Sequence, residues 1–344
     1  MPTRSPRGAA SPEARAQVSG LVLLFASALC TSSYLLFLVE PIIVKMVLPS
    51  LGGGPMVWNT SVLFFQLMLL AGYAYAHCAS HWLSTRSRTA IYVALLLLPF
   101  VVLPFAVPVR AGPPLGGRNP VGWLLTVLLG SIGAPFFVLA SSTSTIQKLF
   151  ADTDDPSGRD PYFLYIAGNA GSLLALLSYP VLVEPMLSLH DQSRLWTIGY
   201  GMFVALALLC VSFAARTVRK PNPPFDREIA AGEPIARSPG RRARWVALAA
   251  IPSSLMLGVT GYLTSDLASV PLLWIVPLAL YLMTFILAFA RPDHWRRVAD
   301  RRLPICLVVV SVALLIHAGG PLWLVVPLHL VTFVVAGLLC HGWV

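Results

Sequence analysis

The sequence predicts an all-α polytopic membrane protein of about ten transmembrane helices, and three observations predict it. Long apolar segments follow one another at the length of a bilayer crossing, which takes roughly 20 residues of helix. Hydrophobic residues make up 57% of the 344 and charged residues only 11%, where a soluble domain carries about a quarter charged. The lysines and arginines fall in alternate gaps between the segments, the pattern that orients membrane helices. Lipid offers no partner to backbone N–H and C=O groups, so spanning segments of this kind must be helical.

The segments run in order as Leu21–Val39, Val57–Ala76, Ala90–Val109, Val121–Ala140, Tyr162–Val183, Leu195–Ala214, Trp245–Leu263, Val270–Ala290, Leu303–Ala318 and Pro321–Cys340. The ninth is short for a crossing and joins the tenth through Gly319-Gly320-Pro321, a tight turn. Met1–Gln17 is polar and rich in Ala, Pro and Arg, and is expected to be a disordered cytoplasmic tail. A signal-peptide core is only about 7–15 residues, so Leu21–Val39 reads as a retained first helix. Arg216–Arg244 is rich in Pro and Arg and reads as a basic linker over 215–244. It would divide a bundle of six spans (18–214) from one of four (245–344).

Orientation follows from the cations. With the N-terminus inside, the inner side holds Arg4, Arg7 and Arg15, then Arg86 and Arg88, then Lys148 and Arg159. It also holds eight cations between Arg216 and Arg244 and five between Arg291 and Arg302, which leaves only Lys45, Arg110, Arg118 and Arg194 of the 24 elsewhere. Both termini are therefore expected in the cytoplasm. The net charge of +10 is topological on this reading, and nucleic acid is not an expected partner because no basic stretch is interleaved with base-stacking aromatics. Cys30, Cys78, Cys210, Cys306 and Cys340 are scattered, without the spacing of a zinc site or a disulfide framework.

Ionisable residues at membrane depth are costly, so each raises a functional question. Glu40-Pro41 ends the first span, Lys45 follows in Ile42–Leu48, and Pro49–Pro55 contains Gly52-Gly53-Gly54 before Trp58-Asn59-Thr60. An apolar stretch broken by Gly and Pro is what a re-entrant or discontinuous element looks like in transporters. Glu40, Lys45 and Asn59 are the candidate substrate- or ion-binding residues there; the competing reading is an interfacial loop with Glu40 and Lys45 paired or snorkelling. Val183-Glu184-Pro185 repeats Val39-Glu40-Pro41, which adds Glu184 and raises an internal repeat. Asp266, in Thr264–Ser269, either caps the eighth span or is a buried carboxylate. His77 and His81 share a helix face but have no carboxylate nearby in sequence, so no metal is assigned. Gly52–Gly54 follows no strand and precedes Pro55, which excludes a nucleotide loop. No cofactor is implied.

Several blocks resemble the membrane region of bacterial fused spermidine synthase-like proteins. They are Leu36–Pro41, Lys45–Pro49, Leu51-Gly52-Gly53, Val57–Thr60, Phe64-Phe65-Gln66, Gly72–His77, Ser253–Thr260 and Asp266–Trp274. In that family a transporter-like polytopic region precedes a soluble domain similar to spermidine synthase, with a Gly-rich loop for an S-adenosylmethionine-type donor. This sequence contains no such domain and stops at Cys340–Val344, so a truncated or split version is expected and aminopropyl transfer is not assigned to the chain. The resemblance implies a module of the bacterial inner membrane that binds or transports a small molecule, a cationic amine or related metabolite among them. The alternative is an anchor or scaffold for a separately encoded synthase-like enzyme in polyamine-related metabolism.

Overall fold

The computed structural model describes residues 12–51, 55–107, 120–155, 162–217, 239–262, 275–315 and 322–343. Among the described residues the chain forms ten helices. The first four are α1 (Pro12–Leu51), α2 (Pro55–Trp82), α3 (Thr85–Leu97, continued by a 3-10 turn Leu98–Val101) and α4 (Pro120–Leu128, a π turn Leu129–Gly133 and Ala134–Ala151). Next come α5 (Tyr162–Ser178, a π turn Tyr179–Val183 and Glu184–Met186), α6 (Leu189–Arg216), α7 (Pro239–Tyr262), α8 (Ile275–Ala290), α9 (Pro292–Leu315) and α10 (Leu322–His341). Seven are long and apolar enough to cross a membrane, and α8 is a shorter apolar helix. The protein is an all-α polytopic membrane protein.

Two expectations shift. The chain does not break after Glu40-Pro41; α1 is continuous to Leu51, so the re-entrant reading loses Glu40–Leu51, and Gly52–Gly54 lie outside the described residues. Proline inside a helix removes one backbone bond, a loss that packed neighbours offset in membrane helices. The third segment is no single helix, because Pro99 falls at the second position of the 3-10 turn that replaces it. The 13 residues of α3 and four of the turn rise about 28 Å. Arg86 and Arg88 occupy the first turns, however, and the apolar part from Ala90 rises about 20 Å, less than the roughly 30 Å of hydrocarbon. Both π turns also have a proline behind them. Pro135 and Pro185 stand four residues after Ser131 and Val181, and a widened turn relieves the clash of each ring with that carbonyl.

The helices form two compact units. The first holds α1 up to Ser32 and again from Ile43, with α2, α3, α4 and α6 from Ser193. Its core is aromatic: Phe25–Phe150 and Phe65–Phe136 ring centroids are 5.0 Å apart, and Trp196 stacks on Tyr200 at 5.6 Å. Polar ties cross it, from Tyr92 Oη to Ser142 Oγ at 3.0 Å and from Tyr200 Oη to the Leu96 carbonyl at 3.0 Å. In the absence of water, each such hydroxyl needs a partner of this kind. Helices α2 and α4 touch at Gly72, where a Cβ would lie 2.7 Å from Ala140 Cβ and 2.9 Å from the Ser141 amide. Only glycine permits that approach.

The second unit holds Ser33–Ile42 of α1, Tyr165–Gln192 and α7 to α10. Phe37 and Leu173 pack on the cluster of Leu176, Ile275 and Leu282. Helix α10 packs on α7, α8 and α9. Thr284 faces Gly337 closely enough that a Cβ there would meet its Oγ1 at 3.2 Å. Thr284 Oγ1 is 3.1 Å from His341 Nδ1, and the His341 ring stacks on Phe285 at 3.6 Å. Trp343 is held by two cations, with the Arg244 and Arg296 guanidinium carbons 5.2 and 4.8 Å from its ring centroid.

Candidate functional site

Among the described residues a polar cavity lies in the first unit, one to two turns beyond the Gly72–Ala140 contact. It is a cleft of about 420 Å³ lined by residues of three helices. Helix α2 gives Tyr73, Ala76, His77 and Ser80, spaced i, i+3, i+4 and i+7 and so on one face. Helix α4 gives Ser144, Thr145 and Lys148, and α3 gives Arg88. The Thr145 hydroxyl donates back to the Ser141 carbonyl at 2.8 Å, which leaves its oxygen lone pairs directed outward as acceptors.

Arg88 is the unusual member. It sits in the first turns of α3, whose start is fixed by Ser84: the Ser87 amide donates to Ser84 Oγ at 3.2 Å, a side-chain N-cap. The Arg88 side chain is only 8% exposed, and its Nη2 reaches Asp152 Oδ2 at 2.9 Å. Lys148 Nζ reaches the other oxygen of Asp152 at 2.9 Å. Arg88 Nε is buried and has no hydrogen-bond partner among the described residues. Leaving a buried donor unmade costs about 1–3 kcal/mol, a cost the folded chain carries at Arg88 Nε. Two cations share one carboxylate, which leaves the cleft one positive charge in excess before His77 is counted. A guanidinium and excess positive charge suit a phosphate or carboxylate.

The residues singled out from sequence lie elsewhere. Glu40 and Glu184 are half-buried and both belong to the second unit. Their segments run side by side, since Tyr34 Oη is 3.1 Å from Ser178 Oγ and a Cβ at Gly168 would lie 3.3 Å from Ser33 Oγ. The second Val-Glu-Pro tripeptide lies at the end of α5, whereas α1 runs on past the first to Leu51. Lys45 is half-buried and Asn59 exposed, both in the first unit; Asp266 lies outside the described residues. Five positions apart on α1, Glu40 and Lys45 project about 140° apart around the axis, so they do not share a helix face. The histidine pair comes closer, with ring centroids 4.3 Å apart and His81 Nδ1 3.0 Å from the His77 carbonyl. Among the described residues no three His, Cys, Asp or Glu side chains gather as a metal site.

Arg88, Lys148 and Asp152 were not singled out from sequence. One signal was there: Ser141-Ser142-Thr143-Ser144-Thr145 is an unbroken hydroxyl run ending an apolar segment, too polar for a face turned to lipid. No family model matches the chain, and comparison with curated proteins finds no match either.

Proposed function

We propose that the chain is a membrane module that binds or transports a small anionic metabolite, with the cleft between α2, α3 and α4 as its contact site. The reading includes a bacterial inner membrane with both termini inside, and the transporter-like role that the resemblance implies. One observation carries it: Arg88 and Lys148 both line the cleft and share a single carboxylate, Asp152. The same charges oppose the cationic amine suggested by the resemblance, because the lining brings Arg88 and Lys148, and the carboxylate of Asp152 is already engaged by both.

The test is thermal unfolding of the purified protein in detergent with inorganic phosphate, succinate or spermidine. A ligand at a hundred times its Kd stabilises by about 2.7 kcal/mol, so an anion that binds is readily seen. Phosphate or succinate is expected to raise Tm in the wild type and to lose that effect in Arg88→Gln. Stabilisation by spermidine alone, or by none of the three, would overturn the reading.

A further inference from the structure

Helix α9 carries a second site, independent of the cleft. His294, Arg297, Val298, Arg301 and Arg302 line a groove of about 300 Å³ on its first three turns. Their spacing places them within an arc of about 140° around the helix. The carboxylates of this stretch, Asp293 and Asp300, fall outside that arc. Arg296 also points away, to Asp293 Oδ1 at 3.3 Å and over the Trp343 ring. The opposite side of the helix is the packed one, with Ala299 fully buried.

The outward arc does not end with the arginines. Counted on at the same helical pitch, Ile305, Val308, Val309 and Val312 fall on it, and they are 60%, 63%, 46% and 49% exposed. One continuous outward stripe is therefore cationic for a little over two turns and apolar for nearly three more. A merely solvated or orienting charge cluster needs no such register between its two halves. Leu307, off the stripe, is also 49% exposed, so apolar exposure alone does not mark the stripe out. Cations followed along one line by apolar side chains suit a phospholipid, its phosphate on the arginines and an acyl chain along the valines.

We propose that this stripe of α9 is a binding site for an anionic glycerophospholipid, with the phosphodiester held by Arg297, Arg301 and Arg302. The double variant Arg297→Gln/Arg301→Gln is compared with Arg86→Gln/Arg194→Gln, which removes the same charge from exposed positions elsewhere. Full-length protein in mild detergent is titrated with phosphatidylglycerol or phosphatidylcholine, and bound lipid is read by native mass spectrometry. Phosphatidylglycerol is expected to bind in preference to phosphatidylcholine, and the α9 pair to weaken it about fivefold per arginine while the control pair leaves it unchanged. Equal loss in both variants would overturn the proposal as general charge attraction. Equal competition by inorganic phosphate would overturn it in favour of a free-anion site. Should the α9 variant lose its monodisperse elution, the wild-type ranking decides: equal retention of the two lipids overturns the proposal, and preference for phosphatidylglycerol resisting inorganic phosphate supports it.

Discussion

Arg88 is tied to its surroundings by a single carboxylate, and its replacement separates structure from binding. Arg88→Gln is expected to lower stability by about 1–3 kcal/mol, because Asp152 keeps Lys148 as a partner. Asp152→Asn carries opposite signs for two quantities. It removes two ion pairs and lowers Tm, yet it frees Arg88 and Lys148 and should tighten phosphate or succinate binding in the same titration; weaker binding would mean the ions are structural only. At Gly72 the issue is space. A Cβ 2.7 Å from Ala140 forces α2 and α4 apart, and Gly72→Val should cost about 1–3 kcal/mol in thermal unfolding.

At the scale of the helix, spans were legible where an apolar run is unbroken, as in α10, whose bounds lie within a residue of the apolar segment. They were not legible where proline intervenes. Pro41 looks in sequence like the end of a helix, and α1 continues through it; Pro99 looks no different, and there α3 gives way to a 3-10 turn. The difference lies in what surrounds the lost hydrogen bond, which spacing does not report. Ser84 can be read directly as a cap, and Ser84→Ala should cost α3 about 1 kcal/mol, seen as a lower Tm. The cleft was illegible for a related reason: Arg88 and Asp152 stand 64 residues apart, and only the packing of α3 against α4 joins them. Glu40 and Lys45 drew attention because charge in an apolar run is conspicuous, but conspicuous charges need not share a helix face.

For the whole molecule, the cation pattern makes a topological prediction that rests on α3. Reporter fusions after Arg88 and Arg159 should read as cytoplasmic, and fusions after Arg118 and Arg194 as external. A cytoplasmic reading at Arg118 would mean that α3 and its 3-10 turn do not cross, and the alternation of inner and outer loops would fail from there on.

The contact of α2 with α4 at Gly72 has a mechanical consequence. Backbones in touch at one point act as a fulcrum, and the cleft lies on the lever arm beyond it. From Ala140 to Asp152 is twelve positions of helix, or about 18 Å. A tilt of about 10° around the contact then moves Asp152 by about 3 Å, the difference between a hydrogen bond and none. Phe150 lies on the same arm, two residues before Asp152, so a tilt of that size would strain the Phe25–Phe150 contact and the Arg88–Asp152 pair together.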